Sequence, residues 1–196
     1  MEVPIILYGS SSLRKHCKEI IDGDNIQQIS GMLFETLKKA KGIGLAAPQI
    51  NLIKRAFVID TSPLNEEDIT IEKFEGIFIN PVIIDSDSEN IIYHEGCLSF
   101  PGIFEEVTRP EKILVRFQDV LFTTHEEELD GIKARIFQHE LDHLDGILFI
   151  DKINLIKRKL LTGKLNKIRK LSLTQPPQIC QPYMNSLKRM SATGKV

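Results

Sequence analysis

The chain has 196 residues, of which 42% are hydrophobic and 27% are charged, a balance typical of one globular domain with a sizeable core. The sequence lacks an apolar run of about 20 residues and the pattern of a signal peptide, so we expect a cytoplasmic protein without a membrane partner. Three cysteines are too few, and odd in number, for a disulfide framework.

A net charge of -2 conceals an asymmetry between the two parts of the chain. Residues 152–196 contain eleven of the 25 Lys and Arg residues and no Asp or Glu. Residues 1–151 therefore hold 14 basic residues against all 27 acidic ones. An acidic body with a basic C-terminal segment favours an anionic partner, although a solvated helix face explains the charge equally well.

Hydrophobic spacing predicts two helices in the N-terminal part of the chain. The first is short and spans residues 13–21. The second begins after Asp24 as N-cap, continues to about Lys41 and ends at Gly42.

Short apolar runs, several of them alternating with polar residues, predict strands at residues 55–60, 76–85, 91–93, 112–117 and 126–129. The polar stretch 61–73 is predicted as a loop. The last two strands are candidates to pair with each other.

The C-terminal half is predicted to be mainly helical. Asp130 is the predicted cap of a helix that ends near Gly146. Residues 154–171 form a basic amphipathic helix, with the apolar positions Ile156, Leu160, Leu165, Ile168 and Leu171.

Strands followed by a central buried helix predict an α+β fold, with mixed or antiparallel sheets around that helix and an amphipathic helix at the C-terminus. We assign residues 1–173 to one domain that includes the helix 154–171. Residues 174–196 are a polar, proline-containing tail that we expect to be loosely ordered.

The segment QHELDHLDG at residues 138–146 contains a His-Glu-x-x-His pattern. His139 and His143 lie one helical turn apart and can bind one metal ion, and Glu140 is placed to handle the proton of a water molecule at that metal. A catalytic site also needs a third protein ligand. Cys97 is the best candidate, because it follows Gly96 at a strand end and a thiolate suits borderline metals. A buried core cysteine explains Cys97 equally well.

The segment GIGLAAPQ at residues 42–49 has no side chain suited to metal binding. It lacks the third glycine and the following helix of a nucleotide-binding loop. Its small residues allow a tight backbone, and Gln49 offers an amide donor that can stabilise a developing oxyanion. Without a metal nearby, Gln49 is more often a turn residue.

These two segments, together with EGCLS at residues 95–99, resemble the three signature motifs of the peptide deformylase family in order and separation. The resemblance covers roughly residues 3–173. It implies a metal-dependent hydrolase that removes the N-terminal formyl group from N-formylmethionyl nascent polypeptides and releases formate.

The resemblance also implies a role for individual residues. The metal ligands would be Cys97, His139 and His143. The expected ion is Fe2+, which Zn2+, Ni2+ or Co2+ can replace. The catalytic groups would be Glu140 as general acid and base, with Gln49 and the backbone N–H of Leu98 binding the formyl oxygen. The substrate would contact Ile43, Gly44, Tyr93, Ile132, Arg135 and Ile136. Glu95 would hold the metal ligands in place without contacting the metal itself.

One position departs from the family. Several members carry an arginine shortly after the second motif, where this chain reads Phe100-Pro101-Gly102-Ile103-Phe104 and reaches Arg109 only later. In those members the arginine contacts the peptide beyond the methionine, and we do not assign that contact to a residue of this chain.

Bacterial-type members dock on the ribosome through a C-terminal helix, so we hypothesise that residues 154–171 do so here. Two alternatives stay open at this point. One is a zinc peptidase of the His-Glu-x-x-His type with a third ligand other than Cys97. The other is a non-catalytic ribosome-binding protein.

Overall fold

The structure is a computed structural model that describes residues 3–174, and within them seven strands form two antiparallel sheets. The strands are β1 (Gly44–Ala46), β2 (Ala56–Asp60), β3 (Glu75–Ser86), β4 (Asn90–Gly96), β5 (Phe104–Pro110), β6 (Lys112–Gln118) and β7 (Thr124–Asp130). One sheet has the order β1-β2-β3-β6-β7, and the hairpin β4-β5 forms the other. The helices are α1 (Ile26–Ala40), α2 (Ser62–Glu67), α3 (Gly131–Leu144), α4 (Leu155–Leu160) and α5 (Thr162–Thr174). The predicted α+β class is confirmed.

All five predicted strands are present, and β6 pairs with β7 over its full length. Two strands were not predicted. β1 has only three residues, all of them buried, so it has no alternation to detect. In β5 the buried positions are Val107 and Arg109. A charged residue such as Arg109 is normally assigned to the solvent-facing side of a strand, so the alternation was not recognised. The predicted loop at 61–73 contains the short helix α2.

The predicted helix at residues 13–21 is wrong apart from its beginning. A single 3-10 turn spans Ser11–Arg14, and the chain then extends across its neighbours. The Cys17 N–H donates to the Leu144 carbonyl at 2.8 Å, and Lys18 bridges to Lys54. These contacts from distant parts of the chain take the place of the local helical hydrogen bonds.

The capping residue of α1 is Asn25, not Asp24. The Asn25 side-chain oxygen accepts the Gln28 N–H at 3.0 Å, whereas the Asp24 carboxylate accepts from Lys54 Nζ at 2.6 Å. At the other end Lys41 adopts a left-handed conformation, with φ of 51°, and stops the helix just before Gly42.

The predicted helix 154–171 is divided at Leu161 into α4 and α5. Of its five apolar positions, Leu165 and Ile168 are buried, Leu171 is 39% exposed, and Ile156 and Leu160 are 72% and 80% exposed. Beyond Thr174, the predicted tail lies outside the described residues. None of the helices within residues 3–174 is both long and apolar enough to cross a membrane.

Three groups of buried side chains make up the core. The α3 cluster includes Phe57, Phe78 and Phe137, whose rings meet at centroid distances of 5.0 to 5.3 Å. The α1 cluster includes Leu33, Leu37, Val58 and Leu98. The hairpin cluster joins β5 to the C-terminal helices through Phe100, Val107, Phe149 and Leu165. Alternate residues of β2 enter the first two clusters, so helices α1 and α3 cover opposite faces of the larger sheet.

Candidate metal centre

The three predicted ligands converge. His139 and His143 lie on the same side of α3 with ring centroids 5.2 Å apart, and Cys97 follows directly after β4. One nitrogen from each imidazole and the Cys97 sulfur all lie within 4.8 Å of one another, and the three residues are buried. The Cys97 Sγ is 3.2 Å from His143 Nε2. A thiolate and two imidazoles are a donor set that fits a borderline divalent cation.

Both imidazoles are prepared for metal binding. His139 Nδ1 lies 2.9 Å from Glu95 Oε2, which places its proton on Nδ1 and leaves the Nε2 lone pair for a metal. Burial lowers the pKa of His143 well below its ordinary value, which keeps the ring neutral, the form that ligates metals.

Glu95 is the centre of a buried ion network. Its two carboxylate oxygens accept hydrogen bonds from Arg109 at 2.7 and 2.9 Å, and Oε1 also accepts from Arg135 at 2.8 Å. Burial would raise the pKa of Glu95, but hydrogen bonds from Arg109 and His139 outweigh it and hold the pKa well below its usual range. Glu95 is therefore an anion that fixes the His139 ring.

Arg109 extends the same network to α3. Its Nη1 donates to Asp142 Oδ2 at 2.5 Å, so Asp142 makes a structural hydrogen bond within the site. Sequence reasoning assigned Arg109 no role. The available signal was the spacing of Val107 and Arg109, which places both side chains on the inner face of β5.

Glu140 packs against the backbone of Gly44. A Cβ atom at residue 44 would lie 2.5 Å from Glu140 Oε1, so only glycine leaves room for this carboxylate. Glu140 Oε2 is buried with no hydrogen-bond partner among residues 3–174. Burial raises the pKa of Glu140 to about 7, which suits a group that takes up and releases a proton near neutral pH.

Gln49 is held in one orientation by its own loop. Its Oε1 accepts the Ala46 N–H at 2.8 Å, which directs Nε2 toward Ser99 Oγ at 3.2 Å and the Cys97 sulfur at 3.5 Å. The amide donor therefore faces the metal ligands, and the residue is 1% exposed.

A cavity opens beside these groups. Of the predicted substrate contacts, five line it: Ile43, Gly44, Ile132, Arg135 and Ile136. Tyr93 does not line it; its ring stacks on the Arg135 guanidinium at 4.9 Å. The cavity lies where the three core clusters meet, since Ile136 belongs to the α3 cluster, Leu98 to the α1 cluster and Cys97 to the hairpin cluster.

Residues 3–159 match the family model described as polypeptide deformylase. The chain belongs to the peptide deformylase family. The peptide deformylase of Cytophaga hutchinsonii is 44% identical over 171 residues, which cover 87% of this chain and 92% of that protein. That of Zymomonas mobilis is 45% identical, with 86% of this chain and 96% of that protein covered. The crystal structure of the Thermus thermophilus enzyme superposes with a TM-score of 0.77 at 39% identity, covering 87% of this chain and 99% of that one.

Peptide deformylases are metal-dependent hydrolases that remove the N-formyl group from nascent peptides, and this chain has that function. The predicted family and activity are confirmed. The zinc-peptidase alternative required a third ligand other than Cys97, whereas the sulfur of Cys97 lies with the two imidazoles.

Proposed function

We propose that Cys97, His139 and His143 hold the catalytic ion of this deformylase, and that Fe2+ is the ion used in the cell. The observation that carries the proposal is the convergence of one thiolate and two imidazoles beside a buried carboxylate that has no partner in the described chain. Zn2+, Ni2+ or Co2+ suit the same donors. A cation held there would lower the pKa of a water molecule and polarise the formyl oxygen.

Glu140 moves the proton in this reaction. Its carboxylate takes a proton from the attacking water as the new C–O bond forms at the formyl carbon. The same proton passes to the amine nitrogen as the C–N bond breaks, so that formate and a free N-terminus are the products. Gln49 Nε2 and the Leu98 N–H donate to the formyl oxygen while negative charge builds on it.

The cavity binds the first residue of the substrate. Ile43, Ile132 and Ile136 give it apolar walls for the methionine side chain, and Gly44 contacts the peptide backbone. Tyr93 contributes through Arg135, on which it stacks. Because the substrate is a newly synthesised formylated chain, we place the enzyme in the cytoplasm.

Two variants test these roles in an oxygen-free assay of formate release from formyl-Met-Ala-Ser, with iron-loaded and zinc-loaded protein side by side. Glu140→Gln should lower kcat by about 10²- to 10⁴-fold with metal content unchanged. Cys97→Ser should lose metal. Glu128→Gln, on the solvent-facing part of β7, is the control and should behave as wild type. Full metal occupancy in the Cys97 variant, or full activity in the Glu140 variant, would refute the assignment.

We also propose that the basic segment 154–171 docks on ribosomal RNA. Lys159, Lys164 and Lys167 are exposed, and the apolar side chains of Leu155 and Leu160 on α4 are each 80% exposed. Cations of this kind bind phosphates without sequence preference.

Replacing Lys164 and Lys167 by glutamine should weaken ribosome binding and flatten its dependence on salt. Lys157 and Arg158 are the second pair to neutralise, although Lys157 pairs with Glu106 at 2.6 Å and Arg158 with Asp151 at 3.2 Å. Deformylase activity on the free tripeptide should not change. Unaltered ribosome binding after all four substitutions would reject the docking proposal.

A further inference from the structure

The chain turns back on itself directly after the metal-ligating cysteine. The Phe100 N–H donates to the Cys97 carbonyl at 2.8 Å, so Cys97, Leu98 and Ser99 lie in one tight turn. Under the proposed function the first of these residues holds the metal and the second donates to the formyl oxygen. Ser99 is 0% exposed and does not line the cavity. Its side chain therefore acts on the reaction only through another residue.

One short segment near the N-terminus holds this turn beside the loop of Gln49. The Ile6 N–H donates to the Gln49 carbonyl at 2.7 Å, and the Tyr8 N–H donates to the Ser99 carbonyl at 2.9 Å. The Tyr8 ring also packs on the ring of Phe100, with centroids 4.9 Å apart. Gln49 and Ser99 are 50 positions apart in the chain. The shared segment nevertheless fixes their backbones at one separation.

The two side chains meet across this fixed separation. Ser99 Oγ accepts from Gln49 Nε2 at 3.2 Å, while Gln49 Oε1 accepts the Ala46 N–H at 2.8 Å. An amide nitrogen carries two N–H donors, and Ser99 engages one of them. The two N–H bonds diverge in the plane of the amide. The second donor therefore faces away from Ser99, on the side where the Cys97 sulfur lies 3.5 Å from Nε2.

We propose that Ser99 is a positioning residue, whose hydroxyl oxygen holds one N–H of the Gln49 amide so that the other donates to the formyl oxygen. This inference rests on the proposed function, in which Gln49 stabilises the charge that builds on that oxygen. Such a donor is most effective when its direction is set before the charge develops, because no reorganisation is then needed.

Loss of the Ser99 oxygen would release the amide. One N–H of a buried group would lose its acceptor, which is costly, and the Cys97 sulfur is the other acceptor that the structure gives this nitrogen. The amide would then turn toward the metal ligand and away from the substrate. Binding of the peptide itself would not change, since Ser99 is not part of the cavity wall.

The test is a double-mutant cycle on metal-loaded protein with formyl-Met-Ala-Ser as substrate. Ser99→Ala should lower kcat by about 5- to 15-fold, the effect of losing one hydrogen bond, with KM and metal content unchanged. In the Gln49→Leu background the same substitution should have no further effect, because the amide through which Ser99 acts is already gone.

Ser12→Ala is the matched control. Ser12 is 7% exposed, and its hydroxyl donates to Asn51 Oδ1 at 2.5 Å, two positions after Gln49. The control thus removes a comparable hydroxyl contact with an amide at the end of the same loop. Asn51 does not line the cavity, so this variant should lose stability but keep the wild-type kcat.

Two further measurements do not depend on turnover. The product Met-Ala-Ser lacks the formyl oxygen, so it should inhibit wild type and Ser99→Ala with the same inhibition constant. In NMR spectra of isotope-labelled, zinc-loaded protein, the side-chain amide protons of Gln49 are identified by their absence in Gln49→Leu. They should shift in Ser99→Ala and stay in place in Ser12→Ala.

The same fold loss from Ser99→Ala in both backgrounds would overturn the inference, as would a wild-type kcat in that variant or unmoved Gln49 amide protons. Loss of metal or of the folded state in Ser99→Ala would also overturn it, since Ser99 would then support the turn rather than the amide. A wild-type kcat in Gln49→Leu would instead reject the proposed role of Gln49. No formate from wild type would reject the proposed function as a whole.

Discussion

Replacing Arg109 by methionine tests the buried ion network directly. The guanidinium makes two hydrogen bonds to Glu95 and one to Asp142, at 2.5 to 2.9 Å, and it is 2% exposed. Methionine fills much of the same volume but leaves both carboxylates without their main partner. A buried ion pair broken in this way costs about 3–5 kcal/mol, since one charge stays behind in a medium that solvates it poorly.

The expected loss lies at the lower end of that range. Arg135 and His139 still donate to Glu95 in the variant, so its charge keeps two partners. We therefore expect a destabilisation of about 3 kcal/mol. For a protein of this size each kcal/mol lowers Tm by about 2–4 °C, so Tm should fall by about 6–12 °C.

The assay is thermal and urea unfolding at pH 7, with wild type and variant at the same fixed free metal concentration, because bound metal itself adds to apparent stability. Arg116→Met is the matched control. Arg116 forms an equally short pair with Glu126, at 2.6 Å, but both side chains are about half exposed. Loss of this surface pair should cost at most about 1 kcal/mol. If the two variants lose the same stability, burial does not govern the strength of these pairs and the reasoning fails.

Three further substitutions have equally definite outcomes. Gly44→Ala should displace the Glu140 carboxylate and lower kcat with metal content retained, and wild-type kcat would show that the close contact is dispensable. Gln49→Leu should lower kcat by about 10²- to 10³-fold through loss of the amide donor, measured on metal-loaded protein; a change in KM alone would contradict this. Leu165→Ala should cost about 2–5 kcal/mol in urea unfolding, and Leu160→Ala no more than about 0.5, because only the former is buried. Equal losses of stability in the two variants would contradict the exposure of Leu160 on α4.

Helical periodicity predicted the part of the metal centre that lies on α3. His139, Glu140 and His143 lie on one continuous helix, where spacing along the chain translates directly into positions in space. For Cys97, local reasoning left a third ligand and a buried core cysteine equally well supported, because the 42 to 46 positions between it and the histidines have no fixed geometry; the family resemblance favoured the ligand. In the structure the ring of Phe104 occupies the place that a side chain at residue 96 would take, which accounts for Gly96.

Pattern reasoning gave little access to the ionic part of the site beyond the shared spacing of Val107 and Arg109 on β5. A charged residue on a strand or helix is read as solvent-facing, yet Arg109 and Arg135 are both buried. They are buried because Glu95 lies between them, and no local signal reports a partner 14 or 40 residues away. The division at Leu161 was hidden for a related reason. Leu160 and Leu161 both continue an apolar pattern, and only tertiary contacts decide which of the two faces the core.

Because the three core clusters meet at the cavity, the packing that stabilises the fold also positions the metal ligands. Cys97 and Leu98 are consecutive, yet their side chains enter different clusters, and α3 brings His139 and His143 from a third side. An ion bound by these ligands would add a further link between parts of the molecule that already meet through apolar contacts and through the ion pairs of Glu95 and Arg109 with α3. Oxidation of the Cys97 thiol would remove one of these ligands. It would then stop catalysis and also weaken the link between the three clusters.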